Sequence, residues 1–512
     1  MNILSGQRKQ WLSKAVSAAL CAGLLETSAV WAAPVPPATY PIVNPPRDIM
    51  SQGSPTAGSI RSRMARKSVR VKGPQILNFE IHALGRLEDI IIHNKTSLHE
   101  GVVLRQLAFL KKGKPISAKD VQRAAGLVTD LSGVEAVVVS EPGTTPGTAV
   151  LHVTVLPDKS PQGDFSLDNY GNRYLGYGEA VFNYDIRNLT HEGDSLFTHI
   201  ETTGHKYTNG TILYRRPIGK NGLAMNIGYS QLWYSQGAEA KWLQAHGTAK
   251  TYLVGFEYPI HRSQTHDLKV GLEYEYLDLK DEYRCGGVFF PGPPIPANAY
   301  RTWNDKHANA VTLYLSEKNL DKHGMTSWNL AYKYGRVSFD SDKTHLFFDN
   351  TNSEGPYSKV TASILRHQKL NNRLALQLFA RGQLASRNMD TSGRMGITGI
   401  TGVKAYPISE TAGDNAYFTR AELQWTLPLQ AKAQKLQLLT YLEHGGLKIA
   451  KKQFAAGENY RHLQDIGIGL LWSKKDAWWV RADYAWKLGA EKPTSDTSHC
   501  NGHFWIQGGI YF

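Results

Sequence analysis

From Thr419 to Leu427 the chain alternates strictly. Thr419, Ala421, Leu423, Trp425 and Leu427 make one face of an extended segment, and Arg420, Glu422, Gln424 and Thr426 make the other. A period of two predicts a strand with an apolar and a polar side. The stretch opens further back, at Val403, as a polar, Gly-containing excursion. After Pro161 the alternation recurs in Leu223–Trp233, Thr251–Tyr258, Leu268–Leu277, Val311–Leu315, Ser327–Tyr334 and Leu374–Arg381. It is clearest near the end, where Trp478, Val480, Ala482, Tyr484, Trp486 and Leu488 alternate with Trp479, Arg481, Asp483, Ala485 and Lys487. Such segments, each about ten residues long and separated by turns, suit strands that cross a bilayer with the apolar face to lipid and the polar face to a wet lumen. The insert Asp281 to Asn304, with Pro291, Pro293, Pro294 and Pro296, reads as an outer loop.

Between Ile76 and Lys159 the pattern is mixed. Glu88 to Asn94 predicts a strand, and Leu98, Val102, Leu107 and Leu110 follow at roughly helical spacing. Ser117 with Asp120 suits the N-terminus of a second helix carrying Val121, Ala124, Val128 and Leu131. Two strands, Val134 to Ser140 and Ala149 to Leu156, are joined by the turn-rich Pro142 to Gly147. The order strand, helix, helix, strand, strand predicts a small sheet with helices on one face, and such a sheet has an edge.

Residues 1–32 carry a secretory signal: Arg8, Lys9 and Lys14, then apolar Ala15 to Leu25, then Val30-Trp31-Ala32 as the cleavage site. A lipoprotein signal at Cys21 is disfavoured because Leu20 stands where a small residue is expected. Residues 33–75, rich in Pro and then in Arg and Lys, lack the apolar residues for a core and read as a mobile tail or linker.

Composition narrows the class. The chain has 41% hydrophobic residues, with 25 Tyr, 16 Phe and 12 Trp, yet no apolar run reaches the length of about 18 that a spanning helix needs. Any crossing by the mature chain is therefore made by strands. The net charge of +14 is spread among aromatic strands, and no zinc-finger, RNA-recognition or helix-turn-helix signature accompanies it, which points away from nucleic acid. Cys285 and Cys500 sit in loop-like contexts, paired or free.

The run Leu131-Ser132-Gly133-Val134-Glu135-Ala136-Val137, through Glu141-Pro142-Gly143, to Gly147-Thr148-Ala149-Val150-Leu151-His152-Val153 resembles the second half of a POTRA (polypeptide-transport-associated) domain. It is most similar to the one beside the barrel in two-partner-secretion transporters, the exporters of haemolysins and filamentous haemagglutinins. Leu167 to Gly176 resembles that family's opening barrel strand with its D-N-x-G start at Asp168, and Asn188 to Asp194 is similar to the turn after it. The aromatic closing strand Phe504 to Phe512 is similar to those delivered to the barrel-assembly machinery. The resemblance implies a mainly β protein: a 16-stranded transmembrane antiparallel barrel over 161–512, preceded by an α/β periplasmic POTRA over 76–160. Family members usually carry two such domains. Here Leu77 to His82 is read as the last strand of an incomplete first one.

The implied function is export: the protein receives an unfolded, TpsA-like exoprotein in the periplasm and passes it through the barrel to the surface of a Gram-negative cell. Outer-membrane lipid and the assembly machinery are the other expected partners. The alternatives are an insertase-like protein of the same superfamily and a passive porin.

No cofactor is expected and no catalytic site is found, since nucleophile-elbow, H-E-x-x-H, Walker and Cys-x-x-Cys signatures are missing. His499, Cys500 and His503 cluster in a Gly-containing loop that reads as solvated surface rather than a metal site. What remains is the stretch first described. In the family the sixth outer loop folds back into the lumen, and the arginine of a V-R-G-Y or V-R-G-F motif pairs with the aspartate of an F-x-D-x-G motif. This chain has Val403-Lys404-Ala405-Tyr406 and Tyr441-Leu442-Glu443-His444-Gly445 instead. The resemblance therefore implies a lumenal latch of Lys404 with Glu443, Tyr406 beside it and Glu422 as the competing acid. A Lys supplies a point charge where Arg has a flat fork, so the side-chain pair is expected to be less directional.

Overall fold

A computed structural model describes residues 78–237, 245–285, 300–340, 352–429, 433–454, 457–496 and 501–512. The expected signal peptide and basic tail, and the Cys285/Cys500 question, lie outside what it describes.

The chain first builds an α/β domain: β1 (Asn78–Ile81), β2 (Arg86–Asn94), α1 (Glu100–Gln106), α2 (Ala118–Thr129), β3 (Val134–Pro142) and β4 (Thr148–Pro157). The sheet order is β1-β3-β4-β2, with β3 and β4 antiparallel and the outer strands each parallel to their neighbour. Ser117 caps α2 in a full capping box with Asp120, as the spacing predicts. The core is Val102, Val103, Val121, Ala124, Val128 and the inward residues of β3 and β4. One expectation is corrected. Asn78–Ile81 does not close a preceding domain; it pairs with Val137–Ser140 as an edge of this same sheet, because Phe79 and Ile81 pack against this core.

The barrel follows as β5 (Gly163–Asp168), β6 (Glu179–Arg187), β7 (Ser195–Thr202), β8 (Tyr207–Pro217), β9 (Ala224–Ser235) and β10 (His246–Arg262). Next come β11 (His266–Cys285), β12 (Tyr300–Asp321), β13 (Gly324–Phe339), β14 (Gly355–Lys369) and β15 (Leu374–Ala385). Two short strands, β16 (Met395–Gly396) and β17 (Ala412–Gly413), precede β18 (Asn415–Leu427), β19 (Gln434–Lys448), β20 (Tyr460–Lys474), β21 (Trp478–Leu488) and β22 (Gly502–Tyr511). All but β16 and β17 form one closed antiparallel barrel of 16 strands, sealed where β22 meets β5. Closure leaves no edge. Exposed Ile212, Leu272, Leu313, Ile364, Ile468 and Val480 form part of an outward apolar belt, while Glu273, Arg381, Arg420, Glu443 and Asp483 point inward and are buried.

Three further readings change. The D-N-x-G run is not strand interior: β5 stops at Asp168, whose carboxylate accepts the Tyr170 N–H at 2.9 Å, and Asn172 then turns the chain by accepting from Tyr174 and Leu175 N–H. A whole strand, β6, separates this loop from the turn Asn188 to Asp194. Finally, Asp281–Cys285 and Tyr300–Asn304 belong to strands of 20 and 22 residues rather than to a loop. A bilayer needs only about 9–11 residues per strand, so the upper ends leave the lipid and lose the alternation that marks a spanning strand.

The α/β domain is seated on the turns at one end of the barrel. Ser132 and His99 N–H groups donate to Gly193 O and His191 O at 3.0 and 2.9 Å. Arg105 bonds Glu192, Gly222 N–H donates to Gln106 Oε1 at 2.7 Å, and Arg262 makes a two-pronged bond to Asp130, both arms 2.9 Å. Burial raises the Asp130 carboxyl, but the Arg262 charge and hydrogen bonds outweigh it and hold the group below its usual range. Glu192 shows the same balance, burial being overcome by hydrogen bonds from His99 and Arg105. A depressed carboxyl contributes stability above its unfolded value of about 4 and loses it as pH falls through the lower folded value. The seat is therefore expected to hold at neutral pH and to loosen below about pH 4. Amide exchange at His99 and Ser132, whose N–H groups make the seat's main-chain bonds, followed against pH checks this, and a flat profile would contradict it.

Candidate functional site

Residues 386–414 join β15 to β18 at the end of the barrel away from the α/β domain, and most are buried. The segment turns inward as a hairpin: β16 pairs with β17, and the tip is closed by Val403 N–H to Ile397 O at 2.8 Å and Gly402 N–H to Gly399 O at 2.9 Å. Gly402 is required there, since a Cβ would meet the Ile397 carbonyl at 2.1 Å. Met395, Ile397, Val403, Ala405 and Tyr406 pack against inward residues of the wall, among them Phe379, Phe418, Tyr441 and Leu463. An apolar hairpin in a polar-walled lumen is thus matched by apolar inward residues on the strands that face it.

At the tip, Lys404 and Glu443 are both 0% exposed. Lys404 Nζ donates to Glu443 Oε1, the Lys404 main-chain N–H donates to Oε2 at 2.9 Å, and Nζ also stands 3.6 Å from the centre of the Tyr441 ring. Arg420 Nε donates to the same Oε1. The reason lies in the register: Arg420 on β18 is directly opposite Glu443 on β19, and Glu443 is opposite Asp465 on β20. Asp465 accepts the Ala405 N–H at 2.7 Å, and Trp505 on β22 donates its indole N–H to Lys404 O at 2.8 Å. Direction is thus supplied by the main chain: two consecutive N–H groups of the tip address two carboxylates on neighbouring strands, which a flexible Lys side chain need not do.

Of the sequence-derived candidates, Lys404 and Glu443 come together. Tyr406 lies beside them, buried, and its hydroxyl donates to Glu491 O at 3.1 Å. Glu422 faces the same lumen, where it accepts from Gln424 and Arg481 at 2.8 and 3.2 Å. Sequence reading missed Arg420, Asp465 and Trp505. Parity placed Arg420 on the polar face, but only the register puts it opposite Glu443.

The rest of the hairpin is held by further wall charges. Arg381 donates to Gly396 O and Thr401 O, both at 3.1 Å, Lys359 to Gly393 O at 2.9 Å, and Lys306 to Asp390 at 2.6 Å. Nearer the open end, Glu410 accepts from the N–H and hydroxyl of Thr494 and of Ser495 and from Arg461, at 2.6–3.0 Å. The hairpin is thereby tied to the segment between β21 and β22. The hairpin is thus buried against the inner wall, and its polar anchoring points are hydrogen bonds and ion pairs.

The sequence matches the family model described as haemolysin secretion/activation protein ShlB/FhaC/HecB over residues 147–286 and 295–470. Similar proteins include the heme/hemopexin transporter protein HuxB of Haemophilus influenzae (strain 86-028NP), 22% identical over 431 residues that cover 82% of this chain and 73% of that protein. The outer membrane transporter CdiB of Dickeya dadantii (strain 3937) is 21% identical over 356 residues, 67% of this chain and 59% of that one. Among solved structures, CdiB from Escherichia coli superposes with a TM-score of 0.67 at 14% identity, covering 84% of this chain and 76% of that one. BamA from Haemophilus ducreyi lacking POTRA domains 1-3 gives 0.53 at 13%, covering 84% and 85%. The two structural likenesses concern the fold.

Proposed function

This chain belongs to the ShlB/FhaC/HecB family of haemolysin secretion/activation proteins, and on that premise we propose that its α/β domain is a periplasmic POTRA that hands an unfolded exported partner to a barrel held shut at rest by the 386–414 hairpin. The protein is a two-partner-secretion transporter of the outer membrane, and its partner is a secreted protein. The observation that carries the resting-state reading is the hairpin buried in the closed barrel and anchored through Lys404, Glu443, Arg420 and Asp465. Tight packing alone would make a permanent plug. Charged anchors suit a reversible one, because groups released into a wet lumen recover hydration as they give up their partners. The apolar outer belt supports lipid contact, and the aromatic strand β22 supports recognition by the barrel-assembly machinery.

The direct test is to delete residues 78–157 and follow surface export of a co-expressed candidate exoprotein. Export is expected to be lost while the barrel still inserts. Undiminished export would remove the domain from the delivery step.

A further inference from the structure

The sheet of the α/β domain has one face under the helices and one turned away from them, and the second carries histidines. Leu151 and Val153 on β4 and Ile92 on β2 pack in the core, so by alternation His152 and His93 project from the opposite face. The register makes them neighbours. Ile91 is level with His152, and His93 with Thr154, which sets the two histidines a diagonal step apart on adjacent parallel strands. Their rings are almost parallel, 6° apart, with centroids separated by 5.6 Å. His93 Nε2 faces His152 Nδ1 at 3.2 Å, and the other nitrogen of His152, Nε2, stands 3.5 Å from Glu141 Oε2 on β3. His93 is exposed, and the side chains of His152 and Glu141 are 26% and 49% exposed.

That spacing has a chemical meaning. Two imidazole nitrogens bound to one zinc ion at about 2.0–2.1 Å in a tetrahedron stand about 3.3–3.4 Å apart. The pair is therefore within roughly 0.2 Å of a chelating separation with the backbone where it is, and the rings need only turn about χ2 for both lone pairs to meet an ion. Glu141 favours the His152 tautomer with its proton on Nε2, which leaves Nδ1 as the acceptor. Histidines that hold metals nearly always donate their other N–H to such an oxygen, which fixes the ring and makes the free nitrogen a better ligand. Without an ion, His93 Nε2–H donates to that nitrogen. With one, the proton moves to His93 Nδ1 and Nε2 becomes the second ligand, so no proton is lost overall.

Among the described residues no third histidine, cysteine or carboxylate completes the set, and His82, just past β1, is tied to Glu80 at 3.1 Å. The site thus supplies two ligands and leaves the remaining positions to water. Paired imidazoles suit Cu2+ ahead of Ni2+ and Zn2+, and do not suit Mg2+ or Ca2+, which take oxygen ligands.

We propose that His93 and His152 bind a divalent transition-metal cation of the zinc and copper type, with Glu141 holding His152 in its ligating tautomer, and that the ion clips β2 to β4. The effect is mechanical. The ladder between these strands shifts register between Leu87 and Asp89, and β2 runs on into Ser97 and His99, which bond Asn188 and His191 on the barrel's first rim turn. A bound ion stiffens the strand that leads from the sheet to the seat. The site stands apart from the transporter reading, and no step of export is assigned to it.

The test uses the full-length protein in detergent micelles, with Zn2+ alone as the calorimetric probe and Cu2+ for electron paramagnetic resonance. One site is expected that His93→Ala and His152→Ala each remove and that Glu141→Gln weakens about tenfold. One equivalent of Cu2+ should show two bound imidazole nitrogens in the parent protein and at most one in either alanine variant. The unchanged protein locates the ion without any substitution: at ten times its dissociation constant, Zn2+ is expected to slow amide exchange in 89–93 and 151–154 about tenfold and to leave the barrel strands as they were. Zn2+ binding that both alanine variants retain would place the ion elsewhere among the chain's 18 histidines and overturn the proposal. Unchanged exchange in 89–93 and 151–154 of the Zn2+-saturated parent would do the same. If an alanine variant fails to assemble, the exchange map and the Cu2+ spectrum of the parent decide. Glu141→Gln protein that binds Zn2+ as tightly as the parent would remove Glu141 from the site.

Discussion

Glu443→Ala is expected to free the hairpin from the wall, giving a barrel that inserts but conducts ions at rest and exports its partner poorly. The carboxylate accepts three donors in a space closed to water: the Lys404 N–H, Lys404 Nζ and Arg420 Nε. Removing it takes a shared carboxylate away from two buried cations, a loss of about 3–5 kcal/mol for a broken buried pair. Lys404→Ala should be milder. Glu443 keeps Arg420, and the N–H of residue 404 survives the substitution, so a loss of about 1–3 kcal/mol is expected. The ranking separates an anchor made by one ion pair from one shared by a register of three strands. Planar-bilayer conductance and the rate of partner secretion measure both variants. If correctly inserted Glu443→Ala protein stays closed and secretes as the parent does, the anchoring role is wrong.

Glu410→Ala is expected to open the outer mouth without unseating the tip. Its buried carboxylate gathers Thr494, Ser495 and Arg461, and hydrogen bonds to a charged acceptor contribute about 1.5–3 kcal/mol each, though not additively. Arg461 retains Glu491, so the neutralised site loses the link between the hairpin and the β21–β22 segment rather than all of its structure. A cysteine introduced at Ser495, labelled from outside intact cells with an impermeant maleimide, should react at least about tenfold faster in the Glu410→Ala background. Unchanged labelling would mean that the segment is held by packing and that Glu410 is incidental.

The two substitutions act on different ends of one loop, which gives them a joint use. Tip release without mouth opening, and the reverse, would show that gating has two steps. Parallel changes in both assays would make the hairpin a single rigid body.

How much of this was legible in the chain varies by element. The capping box at Ser117 and Asp120 was legible because its partners are three residues apart. The strand faces at 419–427 and 478–488 were legible because lipid on one side and a polar lumen on the other impose a period of two. The same reasoning failed at 281–285 and 300–304, where strands of 20 and 22 residues continue past the length that a bilayer needs. It also failed at 168–171, where a polar run that looks like a strand start is a turn fastened by the Asp168 side chain.

The sequence by itself determined a barrel of alternating strands, a small α/β unit before it, and a pair of altered motifs able to place Lys404 near Glu443. Only the tertiary structure decided that Glu443 also holds Arg420, that Asp465 and Trp505 bind the main chain at the tip, that Glu422 accepts from Arg481, and that β1 fills one flank of the small sheet. Periodicity reports which face a residue is on. It carries no record of register, and register is what sets one strand's charge opposite another's.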